Sequence, residues 1–219
     1  MILIVPVLNR YDLLQRMVHS IDYEISDLLI IDNGRELKDL DVPDVVKRTH
    51  ILTMPTNQGV SGSWNLGIKC FPFEPFWTFT SADNQFHPGA LENLAKTSRP
   101  DALTLNSIWP HYQSFSVGEQ LVQEVGLFDE SIYPIYFEDN DYERRVTKKG
   151  FSVLKADVPV HHDNASTISD PNYANRNGVS WPSNQAYFQN KCDTNDFTEG
   201  RWNLAVSYTH LTLPTKRIV

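Results

Sequence analysis

The chain has 219 residues, with 19 Lys and Arg against 27 Asp and Glu, so its formal net charge is −8. This charge excludes a basic nucleic-acid binder, and no apolar run approaches the roughly 18 residues of a membrane span. The two cysteines are too few for a disulfide framework, and the N-terminus lacks a basic signal-peptide region. We therefore expect a cytoplasmic globular protein that binds no nucleic acid and has no transmembrane segment.

The first elements form a strand, helix, strand pattern. Residues 2–7 are a nearly continuous apolar run, typical of a strand that is buried on both faces of a parallel sheet. Apolar residues at helical spacing follow over residues 13–21, and a second apolar run over residues 28–31 ends at Asp32. A right-handed crossover would bring both strand ends to the edge at which α/β proteins bind ligands.

The alternation of strands and helices continues along the chain. Further strands are predicted over residues 51–53, 76–80, 102–105 and 114–117. Further helices are predicted over residues 57–69, from residue 87 onward and over residues 138–149. Residues 163–200 are rich in Asn, Asp, Ser and Pro, which predicts mainly loop with one helix near residues 184–191. The pattern predicts an α/β protein with a mostly parallel central sheet flanked by helices.

Residues 206–219 are unlike the rest of the chain. They begin with V-S-Y-T-H-L-T-L-P-T, which resembles one reading frame of a transposon adapter used to prepare sequencing libraries. We therefore expect a single domain over residues 1–205, truncated at its C-terminus and followed by an adapter-derived tail. A natural β-prone tail is the alternative interpretation.

Acid and amide side chains follow several of the predicted strands. The glycines fit neither the G-x-G-x-x-G nor the P-loop pattern, so a dinucleotide site is not indicated. Hard oxygen ligands at one edge of a sheet suit a divalent cation. Each residue alone is equally expected in a turn or as a helix cap, so only the whole set points to a metal. The set is Asn9, Asp32, Asp83, Asn84, Glu138, Asp139 and Asp141.

Three segments in the first third of the chain resemble family 2 glycosyltransferases of the GT-A fold. Residues 4–10 (I-V-P-V-L-N-R) match that family's opening strand, and residues 31–34 (I-D-N-G) match the end of its second strand. Residues 57–67 (N-Q-G-V-S-G-S-W-N-L-G) follow its N-x-G…N-x-G frame. The resemblance extends over most of residues 1–200 and includes rhamnosyltransferase-like enzymes of cell-surface glycans. It implies that the donor nucleotide is contacted by Pro6, Asn9, Arg10, Asp32, Asn33, Asn57, Gly59 and Asn65.

The segment after the fourth strand departs from the family's usual D-x-D motif. Ser81 stands where the first acid is expected, whereas Asp83 keeps the last. The resemblance implies that Ser81, Ala82 and Asp83 contact the donor and that Asp83 binds Mn²⁺ or Mg²⁺ at its diphosphate. Many relatives direct a later histidine towards this metal or the diphosphate, a role that falls here to His161 or His162. Strand alternation predicts that only one of the two faces the site, and the sequence does not decide which.

The most specific match lies over residues 126–130 (G-L-F-D-E) and 136–145 (Y-F-E-D-N-D-Y-E-R-R). In inverting members of the family, a carboxylate at the head of this helix takes the proton of the acceptor hydroxyl. The resemblance implies that Asp139 is this base, that Glu138 is a second catalytic carboxylate, and that Glu138 and Asp141 orient the base or bind the acceptor. Alternatively, these acids only satisfy the helix dipole. Trp109 and Tyr112 are predicted to stack on an acceptor sugar.

The resemblance implies an enzyme that moves a hexose or deoxyhexose from a nucleotide-diphosphate sugar to a hydroxyl, with inversion. The acceptor would be a glycan, a lipid-linked sugar or a small molecule, in polysaccharide biosynthesis, and peripheral membrane contact stays open. The negative net charge supports a metal requirement, since it would repel a bare diphosphate. Two alternatives remain: a non-catalytic nucleotide-sugar-binding module, suggested by Ser81, and a nucleotidyltransferase, whose Gly- and Lys-rich loop is missing after Val7.

Overall fold

A seven-stranded sheet forms the centre of the protein. The computed structural model describes residues 1–163 and 171–197, and its sheet has the strand order β3-β2-β1-β4-β7-β6-β8. All neighbouring strands are parallel except β7, which runs antiparallel to both β4 and β6. The strands of this sheet are β1 (Ile2–Val7), β2 (Asp27–Asp32), β3 (Thr49–Thr53), β4 (Phe76–Thr80), β6 (Ala102–Asn106), β7 (Ser114–Gly118) and β8 (Ser152–Ala156). The predicted mostly parallel α/β architecture is confirmed.

Helices and a second, small sheet complete the described part of the chain. The helices are α1 (Tyr11–His19), α2 (Gly59–Cys70), α3 (Ala90–Thr97), α4 (Glu119–Val125), α5 (Glu138–Lys148), α6 (Pro171–Thr194) and a 3-10 helix (His111–Gln113). The small sheet pairs β5 (Asn84–Phe86) with β9 (Val160–His162) in antiparallel register. None of these helices combines the length and apolar character that a membrane span requires.

The central sheet is buried on both faces, which explains the continuous apolar runs of its strands. Ile2 and Ile4 of β1 belong to a core that includes residues of α2, α4 and α5. Leu3 and Val5 belong to a second core that includes residues of α1 and α3. Neighbouring β1 residues thus pack on opposite faces, as the two-residue repeat of a strand requires.

Aromatic side chains fill the first of these cores. The ring centroid of Trp64 in α2 lies 4.8 Å from those of Phe115 and Phe128. Phe79 stacks on Phe115 at 5.0 Å, and Phe128 stacks on Tyr142 at 4.1 Å. This cluster fixes α2 and α5 on the same face of the sheet, so the two helices can contribute to one site.

The C-terminal region differs from the sequence prediction. His161 and His162 lie inside β9 and not after a strand. Residues 171–183 were predicted as loop but form the first half of α6, which continues through Pro182. Strands β5 and β8 and helix α4 are elements that the pattern did not indicate. Residues 164–170 and the expected adapter tail, 206–219, lie outside the described residues, so the single-domain boundary at residue 205 stays a prediction.

Candidate active site

The candidate site lies at the carboxyl ends of β1, β2 and β4. Val7 at the end of β1 is in register with Asp32 at the end of β2, and Pro6 with Ile31. Arg10 follows with a φ of 51° and hydrogen-bonds the carboxylate of Asp12. The segments with predicted donor contacts therefore begin at the edge where open α/β sheets bind ligands. The donor roles of Pro6, Asn9 and Arg10 stay predictions.

Asp32 is fully buried and organises the loop after β2. Its carboxylate accepts hydrogen bonds from the Tyr11 hydroxyl at 2.6 Å and from the backbone N–H groups of Gly34, Arg35 and Leu37. Burial and the hydrogen bond to Asp32 together raise the pKa of Tyr11. Asp32 therefore shapes this loop, and its contact with a donor base stays a prediction.

Asn33 and Asn57 join that loop to the start of α2. The side chain of Asn33 accepts the N–H of Gln58 at 2.8 Å and donates to the hydroxyl of Ser63 at 3.0 Å. The side chain of Asn57 accepts the N–H of Gly59 at 2.9 Å. These bonds give residues 57–60, here called the donor loop after their predicted role, a defined shape, while donor contacts by Asn33, Asn57 and Gly59 stay predictions.

A segment of residues 133–137, here called the strap, connects the donor loop to the head of α5. The N–H of Val60 donates to the carbonyl of Pro134 at 2.8 Å, and the Tyr133 hydroxyl donates to the carbonyl of Asn57 at 3.2 Å. Gly59 has a φ of +70°, and a Cβ there would lie 2.9 Å from the Pro134 oxygen. Only glycine combines this conformation with this close approach.

Asn65 has a supporting role in the structure. It is fully buried in α2 and exchanges two hydrogen bonds with the backbone of Phe128, at 2.8 and 2.9 Å. Its amide also donates to Glu130 at 2.8 Å. All its polar atoms are thus used within the chain, and this geometry gives no support to the predicted donor contact of Asn65.

Asp83 and His162 meet across the small sheet. Asn84 of β5 is in register with His162 of β9. This register places Nε2 of His162 3.1 Å from Oδ1 of Asp83, the residue before Asn84. The side chain of His162 is 15% exposed and that of His161 is 62% exposed, so His162 is the histidine that faces Asp83. Arg16 supports the pair by donating to the backbone carbonyl of Asp83 at 3.2 Å.

The turn that carries Asp83 is anchored to the 3-10 helix. The N–H of Ser81 donates to the carbonyl of Gln113 at 2.9 Å, and the buried amide of Asn84 donates to the same carbonyl at 2.7 Å. Ala82 packs against the core of α1 and α3. The Ser81–Asn84 turn is therefore held rigidly, but the donor contacts predicted for Ser81 and Ala82 stay predictions.

Glu138 and Asp139 lie at the head of α5 and differ in their surroundings. Glu138 is 6% exposed, and its Oε2 has no hydrogen-bond partner among the described residues. Burial, followed by the negative charge of Asp139, raises the pKa of Glu138 to about 8. Asp139 is partly exposed, and burial raises the pKa of its carboxyl group as well. At neutral pH Glu138 keeps its proton, whereas Asp139 is the better candidate for a charged base.

The two aromatic residues predicted to bind an acceptor lie in different environments. The ring centroid of Tyr112 lies 4.8 Å from that of Phe115, and its buried hydroxyl has no hydrogen-bond partner in the part of the chain that the structure describes. Burial, with a smaller effect of the charges on Glu143 and Asp139, raises the pKa of Tyr112 well above its ordinary value. Tyr112 therefore lies near the head of α5 and is partly used in packing. Trp109 is 74% exposed, and its stacking on an acceptor sugar stays a prediction.

Asp141 belongs to a buried charge cluster behind the site. It is fully buried, and its carboxylate binds the Nε of Arg145 at 2.8 Å and the ammonium of Lys191. Lys191 also donates to Asp129 at 2.9 Å. Burial alone disfavours the charged form of each residue in the cluster. The ion pairs outweigh this effect, so the pKa of Lys191 is raised and that of Asp129 is lowered. Asp141 therefore holds buried ion pairs within the protein. This geometry gives no support to its predicted acceptor contact.

The described residues contain no group of three His, Cys, Asp or Glu side chains that could hold a metal ion by themselves. The 3-10 helix anchors the turn of the Asp83–His162 pair, and the strap joins the donor loop to the head of α5. These features therefore lie in one region of the protein. A family model described as glycosyl transferase family 2 matches residues 2–148, which include all of these features except His162. The chain belongs to glycosyl transferase family 2.

Solved structures support the same fold. The chain is similar to the mannosyltransferase PcManGT of Pyrobaculum calidifontis, solved with GDP-Man and Mn²⁺, with 12% identity, a TM-score of 0.55 and coverage of 71% of this chain and 54% of that one. It is also similar to a mutant of Drosophila β1,4-galactosyltransferase 7 solved with manganese, UDP-Gal and xylobiose, with 11% identity, a TM-score of 0.54 and coverage of 78% and 73%. The GT-A fold is thereby confirmed. This family 2 chain spans about half the length of the mannosyltransferase, and no curated protein matches it.

Several supporting residues of this family 2 site were not predicted. Arg16 donates to the backbone carbonyl of Asp83, Asn184 faces the backbone carbonyls before Glu138, and the Gln113 carbonyl accepts from Ser81 and Asn84. Gln113 acts through its backbone carbonyl, for which a side-chain pattern contains no signal.

Proposed function

We propose that this family 2 protein transfers a sugar from a nucleotide-diphosphate donor to an acceptor hydroxyl with inversion at the anomeric carbon. The observation that carries the proposal is the position of Asp139, a partly exposed carboxylate at the head of α5, which the strap connects to the donor loop. Family membership and the GT-A fold support glycosyl transfer, and the inverting course follows from a single base that needs no covalent intermediate.

The Asp83–His162 pair fits a divalent cation. The Asp83 carboxylate oxygen and the Nε2 nitrogen of His162, 3.1 Å apart, form an oxygen and nitrogen donor set suited to Mn²⁺. Two protein ligands are enough when substrate phosphates complete the coordination, which is the common arrangement for such cations. When bound, the cation would neutralise the charge of the leaving diphosphate. The crystallised relatives with Mn²⁺ support this assignment.

The reaction then needs one proton acceptor. As the acceptor oxygen forms its bond to the anomeric carbon, the bond from that carbon to the diphosphate breaks and the nucleoside diphosphate leaves. The carboxylate of Asp139 takes the hydroxyl proton, and its raised pKa makes it a stronger base than an ordinary aspartate. Glu138 keeps its own proton at neutral pH, so it lowers the negative charge beside Asp139 and supports the base without replacing it.

We infer that the transferred group is a hexose or deoxyhexose and that Trp109 contributes a stacking face to the acceptor. The nucleotide-sugar complexes of the two crystallised relatives support a sugar nucleotide of this size. A glycan, a lipid-linked sugar or a small molecule would meet the requirement for an acceptor hydroxyl, in the setting of polysaccharide assembly.

A non-catalytic nucleotide-sugar-binding module is the second candidate. It is favoured by Ser81 in place of an acid and by the small number of metal-binding side chains in the described part of the chain. Such a module would bind the donor in the same place but would form no product.

The donor site is tested by thermal unfolding with UDP, GDP and dTDP, each with and without Mn²⁺. A nucleotide at 100 times its dissociation constant should stabilise the native state by about 2.7 kcal/mol. We expect one nucleotide to raise the melting temperature only when Mn²⁺ is present. A folded protein that shows no shift with any nucleotide would contradict both the transferase and the binding module.

A further inference from the structure

Helix α6 lies outside the residues that the family model matches, yet it contacts the strap directly. Asn184 is 5% exposed, and its side-chain amide faces three backbone carbonyls of the strap. It lies 2.9 Å from the oxygen of Ile135, 3.2 Å from that of Tyr133 and 3.4 Å from that of Tyr136. One side chain therefore contacts the backbone of three of the five strap residues.

The strap needs such support because its last two residues have an unfavourable backbone conformation. Tyr136 has a φ of 78° and Phe137 a φ of 76°. Positive φ values are rare for bulky residues because they bring Cβ close to the backbone, so the surroundings must hold them. Helix α5 begins at the next residue, Glu138, and Asp139 follows. The direction in which both carboxylates project is therefore set by these two residues.

Aromatic contacts from α6 hold the same point. The ring of Phe137 lies 5.5 Å from that of Trp181 and stacks at 5.9 Å on that of Phe188. With Asn184, these side chains form one continuous contact of α6 with the strap. The contact reaches only the strap side of the site, since Asp83 and His162 are held by β5, β9 and Arg16.

We propose that Asn184 is a positioning residue, whose amide holds the strap in the conformation that aims Asp139 at the acceptor. That this conformation matters for catalysis rests on the proposed function. That Asn184 holds the strap rests on the strap contacts alone. Asn184 touches no substrate in this account. Because it acts through Asp139, its loss should affect the transfer step more than donor binding.

Two measurements on Asn184→Ala test the proposal, with Ser183→Ala as the matched control. Ser183 is the exposed neighbour on α6, and its hydroxyl donates to the carbonyl of Val179 in its own helix. The first measurement is amide hydrogen exchange at Asp141, whose N–H donates to the carbonyl of Phe137 at 2.9 Å. We expect exchange there to rise at least tenfold in Asn184→Ala, with unchanged exchange in β2 and no effect in Ser183→Ala.

The second measurement compares kcat with the dissociation constant of the preferred nucleoside diphosphate and Mn²⁺. We expect kcat to fall at least tenfold in Asn184→Ala, with the dissociation constant within twofold of the wild-type value. Exchange at Asp141 that is unchanged, or that rises equally in β2, would overturn the proposal, as would an unchanged kcat. If the wild-type protein forms no product, the proposed function fails, and the exchange data alone decide the role of Asn184.

A second variant covers the case in which Asn184→Ala does not fold. Phe188→Leu shortens a partly exposed side chain and removes its aromatic contact with Phe137. We expect the same pattern with a smaller amplitude, about threefold in exchange at Asp141 and in kcat. Phe188→Leu with wild-type exchange and kcat would show that α6 does not position the strap.

Discussion

Nε2 of His162 lies 3.1 Å from Oδ1 of Asp83, although the two residues are far apart in the chain. The antiparallel register of β5 and β9 produces this contact, because it sets Asn84 opposite His162 and Gln85 opposite His161. A shift of the register by one residue would exchange the two histidines, since neighbouring side chains point to opposite faces. The geometry of the proposed cation site thus depends on the pairing of two three-residue strands.

His162→Ala should remove most of the Mn²⁺-dependent stabilisation by the preferred nucleotide, because it removes one of the two proposed protein ligands. His161→Ala is the matched control, since its side chain is 62% exposed and points away from Asp83. The measurement is the melting temperature with the nucleotide, with and without Mn²⁺. We expect the apparent affinity to fall at least tenfold in His162→Ala, equivalent to about 1.4 kcal/mol. Equal losses in the two variants would contradict the assignment.

The register also shows what the sequence could and could not predict at this site. Strand alternation correctly limits the inward-facing residue to one histidine of the pair. It cannot identify which, because the answer depends on the partner strand β5, which has only three residues and no apolar repeat. By contrast, β1 and β2 were predicted closely, because burial on both faces leaves a continuous apolar run in each.

Glu138→Gln should alter the pH dependence of stability. The native protein holds the proton of Glu138 up to about pH 8, whereas the unfolded chain releases it near the ordinary value of 4.5. The native state therefore binds more protons between these values, and stability falls as the pH rises through this window. Glu138→Gln lacks this pH-dependent loss of stability. The difference in free energy of unfolding, variant minus wild type, should therefore increase by a few kcal/mol from pH 4.5 to pH 8.

Urea unfolding at pH 5, 7 and 9 measures this difference. Glu92→Gln is the control, because Glu92 is an exposed residue of α3 that pairs with Lys96. The control should follow the wild-type protein at every pH. A Glu138→Gln difference that does not change with pH would show that Glu138 is charged in the native state.

Lys191→Met should destabilise the protein by about 3 kcal/mol, because it leaves the carboxylate of Asp129 buried without its cation. Asp141 keeps Arg145, which limits the loss. Lys96→Met removes a surface pair and should change stability by less than about 1 kcal/mol. Chemical denaturation of both variants gives the comparison. Similar small effects in the two would mean that the buried cluster contributes little.

Gly59→Ala should destabilise the protein more than Gly150→Ala. Both glycines have positive φ, at +70° and +78°, so both variants bear the backbone cost of about 1–2 kcal/mol. A Cβ at Gly150 meets nothing within 4 Å, whereas one at Gly59 would lie 2.9 Å from the carbonyl oxygen of Pro134. We expect an additional loss of about 1–3 kcal/mol for Gly59→Ala, measured by urea unfolding. Equal losses would mean that the strap moves freely away from the donor loop.

The roles of individual polar residues were the hardest part to predict. The position of Asp32 at a strand end and of Asn65 on α2 was correctly indicated, but a residue type does not reveal which hydrogen bonds it forms. The structure uses the Asp32 carboxylate for a loop and the Asn65 amide for Phe128 and Glu130. Likewise, the Asn- and Ser-rich composition predicted loop before residue 184, whereas a helix is formed there whose buried Asn184 contacts the strap.

Product formation by the wild-type protein and Asp139→Asn tests the central claim most directly. Each would be incubated with Mn²⁺, sugars of the nucleotide that gives the thermal shift, and a mixed extract of glycan and lipid-linked acceptors. We predict a glycosylated product of inverted anomeric configuration from the wild type, and a rate at least about 100-fold lower for Asp139→Asn with nucleotide binding retained. Nucleotide binding without any product, or an undiminished rate in Asp139→Asn, would contradict the account.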